Sequence, residues 1–334
     1  MRRPGIMILL LLLALTVSCS GRDARDASPE GATRSSTTGA TADSSPGAST
    51  TGAAAPSTSG CGRAPDAPEV TDELPGDVEQ TITVAGTVRT YRLGVPDGYD
   101  PEQPTPLVMN LHGSGSNAVQ ASLYGGVTQG ANERGILTIT PDAIDGQWQI
   151  GAKGTDGDFL KALVADIESR YCVDPDRVYV IGMSLGAWKA AVTACAMADT
   201  FAAAALVTVE VHPDSCPPIP VVAFHGTADE TVPYGEGSGH SFPDSPNAGL
   251  PGTHENIASW ADGNGCDPDP KVTEIGDDVE RWAYTDCTAD VVLYTVTGAG
   301  HTWPGADIEI GPTTQIIDAT CIAFDWFAAH PRSD

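Results

Sequence analysis

Five residues, Gly182-Met183-Ser184-Leu185-Gly186, join the β-forming run Val178-Tyr179-Val180-Ile181 to an alanine-rich helical stretch. A strand, a sharp turn and a helix with serine at the apex can hold that serine strained, its hydroxyl projecting outward. Glycines 182 and 186 stand where a side chain would clash as strand and helix cross. A serine hydroxyl is a poor nucleophile at neutral pH, so it needs a base, and the base needs an orienting acid. The bland alternative is a glycine-rich turn without chemistry. G-x-S-x-G alone arises by chance, and the flanking strand and helix are what favour a nucleophile.

Of the seven histidines, His301 follows the last strand in Gly298-Ala299-Gly300-His301-Thr302-Trp303-Pro304, where small residues let the loop come close. His212, His240 and His254 sit in polar loops or a helix start, and His330 is near the terminus. His225 is the rival base, but it lies directly on a strand end, where a hydrogen-bonded structural histidine is commoner. His301 is therefore the expected base. Asp229, four residues beyond that strand end in His225-Gly226-Thr227-Ala228-Asp229-Glu230-Thr231-Val232-Pro233, is the expected acid. Glu230 is its substitute, an Asx-turn role is the structural alternative, and Asp262 and Asp286 rank lower. Serine, acid, histidine is the chain order of the α/β-hydrolase architecture.

A tetrahedral intermediate needs two N–H donors. The backbone N–H of Leu185 supplies one, and that of Ser114, in the loop His112-Gly113-Ser114-Gly115-Ser116, is the expected second. Loss of one such donor typically costs about 3 kcal/mol in the transition state. Trp148 and Trp303 flank these loops and read equally as an aromatic substrate wall or as packing.

The elements that must place these residues alternate. A hairpin spans residues 80–84 and 89–95, with strands at 106–111, 136–140, 178–181, 203–209, 220–224 and 291–296. Helices are expected at 118–133, 158–171, from the elbow to about 198, and at 253–261 and 314–329. Such alternation argues an α/β fold, a mostly parallel sheet with helices on both faces and ligands beyond the strands' carboxyl ends. No insertion reads as a lid.

Several motifs occur in order: Leu111-His112-Gly113, Tyr171-Cys172-Val173-Asp174-Pro175-Asp176-Arg177-Val178-Tyr179, Gly182-Met183-Ser184, His225-Gly226-Thr227-Ala228-Asp229, Trp260 with Gly265-Cys266, and Gly300-His301-Thr302-Trp303-Pro304-Gly305. Together they resemble the polyhydroxybutyrate depolymerase and feruloyl esterase family of α/β-hydrolase serine esterases. The resemblance spans residues 81–304 and implies a triad of Ser184, Asp229 and His301, with no metal or organic cofactor. It departs from the family at Leu185, Ala187 and Ser114, which alters the pocket lining but keeps the backbone donors.

The amino-terminal residues read as an export signal. Arg2 and Arg3 precede an apolar stretch, Ile6 to Val17, too short to span a bilayer. Leu15-Thr16-Val17-Ser18-Cys19 resembles a lipobox with Thr16 off-pattern, so residues 1–19 are the expected signal peptide and Cys19 the expected lipidation site. Residues 20–60, rich in Ser, Thr, Ala, Gly and Pro, lack the apolar content to fold and read as a tether. As a coil of some 40 residues it would reach roughly 35 Å. Residues 61–334 suit one catalytic domain.

The formal charge of −27 disfavours a nucleic-acid partner and otherwise suits extracellular solubility. Eight cysteines fit an oxidising compartment. Local spacing favours Cys195–Cys216 and Cys266–Cys287, which the resemblance also supports, and Cys61 with Cys172 is the third pairing. That leaves Cys321 as a buried free thiol.

The expected protein is an exported serine esterase, anchored to a membrane only through a lipid at Cys19. It acts on hydroxycinnamoyl or acetyl esters of polysaccharide, or on polyhydroxyalkanoate. Two alternatives use the same sequence differently: a tethered, non-catalytic binding protein on a hydrolase scaffold, and an acyltransferase with the same triad.

Overall fold

The computed structural model describes residues 60–64, 73–74, 76–235 and 252–332. The expected signal segment 1–19 with Cys19, and the tether through residue 59, lie outside them. The strands are β1 Glu73–Leu74, β2 Asp77–Val84, β3 Thr87–Gly94, β4 Thr105–Leu111, β5 Leu137–Pro141, β6 Val173–Met183, β7 Ala203–Val207, β8 Val221–Gly226, β9 Lys271–Ile275, β10 Val279–Ala283 and β11 Val291–Val296. The helices are α1 Ala118–Tyr124, α2 Val127–Glu133, α3 Thr155–Arg170, α4 Leu185–Ala196, α5 Thr253–Gly263 and α6 Ala319–Ala329.

All strands join one sheet in the order β1-β2-β3-β5-β4-β6-β7-β8-β11-β10-β9. The centre, from β5 to β11, is parallel, and antiparallel hairpins close both edges. Successive central residues feed two cores. Val178 and Val180 of β6 pack on one face with α3, α4 and α5, while Tyr179 and Ile181 pack on the other with α2 and α6. Both faces are covered, so these strands read as continuous apolar runs.

Two expected helices need correction. The helix expected over 118–133 is two helices, broken at Gly125-Gly126. Gly126 has φ 64°, in the left-handed region, and a Cβ at Gly125 would fall 2.7 Å from the Trp303 indole. The closing helix starts at Ala319, not Thr314, because Asp318 caps it by accepting from Cys321 N–H at 2.9 Å. The residues before it instead brace the His301 loop, through Gly300 N–H to Pro312 O at 2.8 Å and Gly305 N–H to Thr314 O at 2.9 Å. The β9–β10 hairpin was not anticipated, since its strands are polar. β9 is exposed along most of its length and is the last strand of the sheet among the described residues.

Disulfides join Cys61–Cys172, Cys195–Cys216 and Cys266–Cys287. Cys321 is not a buried free thiol: it is half-buried and disulfide-bonded, and no cysteine among the described residues is free.

Candidate active site

Ser184 follows β6 directly and caps α4, with φ 58° and ψ −125°, a strained conformation for a residue with a side chain. Its N–H donates to Val207 O on neighbouring β7 at 2.9 Å, and its carbonyl accepts from Ala187 and Trp188 N–H. A Cβ at Gly182 would strike the Gly186 carbonyl, and one at Gly186 would strike those of Leu111 and His112. The two glycines thus let α4 cross close over β4 and β6.

Asp229 and His301 come from the next loops along the same edge. β8 pairs with β11 through Gly226 and Val296, and Ala228 N–H donates to Ala299 O at 2.9 Å. A Cβ at Gly226 would collide with Ala299 O, so glycine lets the two loops touch. His301 Nδ1–H donates to Asp229 Oδ2 at 2.7 Å, the only side-chain hydrogen bond of His301 among the described residues. Nε2 is the ring nitrogen left for a substrate-side proton. Nucleophile-to-base contacts are often loose without substrate and tighten on binding.

The other oxygen of Asp229, Oδ1, accepts from Thr231 and Val232 N–H, both at 2.8 Å. The two sequence readings of Asp229, orienting acid and turn former, therefore coexist on separate oxygens. Burial pushes its pKa up, but hydrogen bonds from His225 and His301 and from Val232 N–H outweigh this and hold it well below the ordinary carboxylate range. It is an anion at any working pH.

The loop after β4 lies against Ser184: a Cβ at Gly113 would stand 3.4 Å from Ser184 Cβ. Neither Ser114 N–H nor Leu185 N–H donates to a backbone carbonyl among the described residues. Leu185 also begins α4, where the helix dipole favours negative charge. His112 fixes this loop. Its Nδ1–H donates to Gly113 O at 2.7 Å, and Nε2 accepts from Ala143 N–H at 3.0 Å, so the ring is neutral. Burial lowers its pKa accordingly.

The tryptophans serve packing rather than an open wall. Trp148 is buried, stacks near His112 with centroids 5.0 Å apart, and donates from Nε1 to His112 O at 2.9 Å. Trp303 is buried over Gly125 and donates to Thr320 Oγ1 at 3.0 Å. Each holds a site loop from behind.

Sequence reading missed three supports. Gln147 Nε2 donates to Ser114 Oγ at 2.7 Å. Lys189, fully buried on α4, donates to Gln149 O at 2.9 Å and Gly151 O at 3.1 Å, and burial lowers its pKa to about 8. Glu210 lies buried against His225, with Oε2 2.8 Å from Nδ1. A glutamate inside the apolar run 203–211 was the one available signal for the last.

Comparison with known proteins places similar chains among esterases. Feruloyl esterase B of Piromyces equi is 30% identical over 221 residues, 62% of this chain, and the match spans only 41% of that protein's length. The proposed esterase NocK of Nocardia uniformis subsp. tsuyamanensis is 30% identical over 270 residues, covering 72% of this chain and 77% of its own. Feruloyl esterase C of Emericella nidulans is 25% identical over 276 residues, 78% of this chain and 88% of its own. No family model matches. Among solved structures, an acetyl xylan esterase from Aspergillus awamori superposes with TM-score 0.54 at 17% identity, over 75% of this chain and 98% of that one. An S-formylglutathione hydrolase from Agrobacterium tumefaciens does so with TM-score 0.51 at 12% identity, over 78% and 98%. At these identities the structural likeness concerns the fold.

Proposed function

Because this chain belongs to the feruloyl-esterase-like family of α/β-hydrolases and is a carboxylic ester hydrolase, we propose that Ser184, His301 and Asp229 are its catalytic triad. The observation that carries this reading is the 2.7 Å bond from His301 Nδ1 to a buried Asp229, on the sheet edge that presents strained Ser184. Ser184 Oγ attacks the ester carbonyl carbon while its proton passes to His301 Nε2. The carbonyl electrons move to oxygen, where the N–H groups of Leu185 and Ser114 hold the charge. As the tetrahedral intermediate collapses, the C–O bond to the alcohol breaks and His301 returns the proton to the leaving oxygen. Water, deprotonated by His301, then attacks the acyl-enzyme, and the acid leaves as Ser184 regains its proton.

The substrate class is hydroxycinnamoyl or acetyl esters of polysaccharide, the reading supported by feruloyl esterases among the relatives. The disulfides support export. A fluorophosphonate should label the protein covalently, and Ser184→Ala should abolish both labelling and turnover of methyl ferulate. Ferulate release with little clearing of emulsified polyhydroxybutyrate would support the polysaccharide assignment, and the reverse would make the protein a polyester hydrolase. Labelling retained in Ser184→Ala would overturn the triad. Faster acyl transfer than hydrolysis on adding a sugar acceptor would make it a transferase.

A further inference from the structure

Asp229 lies between two histidines. Besides His301, His225 Nε2 stands 3.4 Å from the same Asp229 Oδ2 and 2.9 Å from Val232 O. The other ring nitrogen, Nδ1, is 2.8 Å from Glu210 Oε2 and 2.9 Å from Thr253 Oγ1. His225, Glu210 and Asp229 are all nearly inaccessible, with side-chain exposures of 1%, 2% and 0%. Glu210 is itself held: Asn256 Nδ2 donates to its Oε1 at 3.4 Å and Trp260 Nε1 to its backbone carbonyl at 2.9 Å.

A carbonyl such as Val232 O can only accept, so Nε2 carries a proton. An ionised Glu210 also only accepts, which puts a second proton on Nδ1. We propose that Glu210 and His225 form a buried carboxylate–imidazolium pair that positions Asp229 and offsets its charge, and so tunes the pH range over which His301 acts as a base. This rests on the triad reading given above. The protein then holds two buried carboxylates with one cation between them, and a single net negative charge faces His301.

The other polar groups around His225 do not supply a competing charge. Thr253 and Asn256 on α5 are neutral. Tyr234 meets the His225 ring edge-on at 5.5 Å, and burial keeps its hydroxyl protonated, its pKa pushed up to about 12. Beyond Tyr234, burial lowers the pKa of His254, and Glu280 on β10 acts only at longer range. Burial pushes the pKa of His225 down, but the charge of Glu210 and the bonds to Asp229, Glu210 and Val232 outweigh it and raise it to about 10. His225 touches neither substrate nor Ser184 in this arrangement, so it is a positioning residue.

The test uses the pH profile of kcat/KM for a p-nitrophenyl ester. In His225→Gln the charge of Glu210 loses its counterpart, which favours protonated His301. The acid limb should move up by about one pH unit. Adding Glu210→Gln removes the surplus charge and should return the limb toward its wild-type place, a rescue that simple structural damage would not give. An unmoved limb in His225→Gln, or a shift that the double variant keeps, overturns the proposal. If His225→Gln fails to fold, nitrogen NMR of the wild-type protein decides. Both ring nitrogens of His225 should be protonated at about pH 8, and a singly protonated ring overturns the pair. Failure of the triad reading looks different: hydrolysis would survive Ser184→Ala.

Discussion

At the scale of single residues, Asp229 does two tasks with its two oxygens. Oδ1 is fixed by two backbone N–H groups of its own loop, which leaves Oδ2 aimed at His301 with little freedom to turn away. Placement of the proposed orienting acid is thus settled by local turn chemistry before any substrate arrives. The His225 cation adds a stability consequence. Its folded pKa, about 10, lies above the ordinary 6.5. The stabilisation is therefore complete below the unfolded value and is lost as pH rises through about 10. Glu210→Gln should consequently lower Tm clearly at neutral pH and much less at about pH 10.5. Thermal unfolding of the two proteins at both pH values checks this, and an equal difference at both would contradict it.

Elements bring the residues together through close backbone approaches. Gly186 permits α4 to start beneath the carbonyls of Leu111 and His112, so the helix N-terminus, Ser184 and the loop after β4 share one small space. Gly186→Ala forces these apart. It should cost about 1–3 kcal/mol of stability, and kcat should fall more than KM changes, because the displaced groups are those proposed to act on the transition state. Denaturant melts and steady-state kinetics would show both effects, and a wild-type kcat would refute the tight-crossing argument. These crossings explain how much was legible in the sequence. Ser184 with its glycines, the parallel strands and the loops bearing Asp229 and His301 are local patterns, and local patterns can be read. The break at Gly125 depends on Trp303, far along the chain, and the Glu210–His225 contact joins two strand ends. The Gly125-Gly126 pair and a glutamate within the apolar run 203–211 are visible locally, but their partners, Trp303 and His225, lie outside those windows. The same holds for Lys189, whose partners are carbonyls of the loop after Trp148. The β9–β10 hairpin escaped for another reason: its half-exposed strands lack the apolar runs that mark the buried ones.

At the scale of the whole molecule, Cys61–Cys172 ties the start of the domain to the strand that leads into Ser184, across 111 residues of sequence. Closing so long a loop restricts the unfolded chain and is worth about 4–5 kcal/mol in the chain-entropy picture. Cys61→Ser with Cys172→Ser should therefore lower Tm substantially while leaving kcat near wild type, since the bridge lies at the opposite end of β6 from Ser184. Calorimetry beside an ester assay tests the separation, and a kcat loss as large as that of Gly186→Ala would deny it. The far border of the sheet carries a different lesson. Among the described residues β9 ends the sheet, and Lys271 and Glu274 stand exposed along it. Another copy approaching that fringe would have to strip water from ionised side chains before strand could meet strand. The charged fringe of β9 thus works against strand-to-strand growth from that edge.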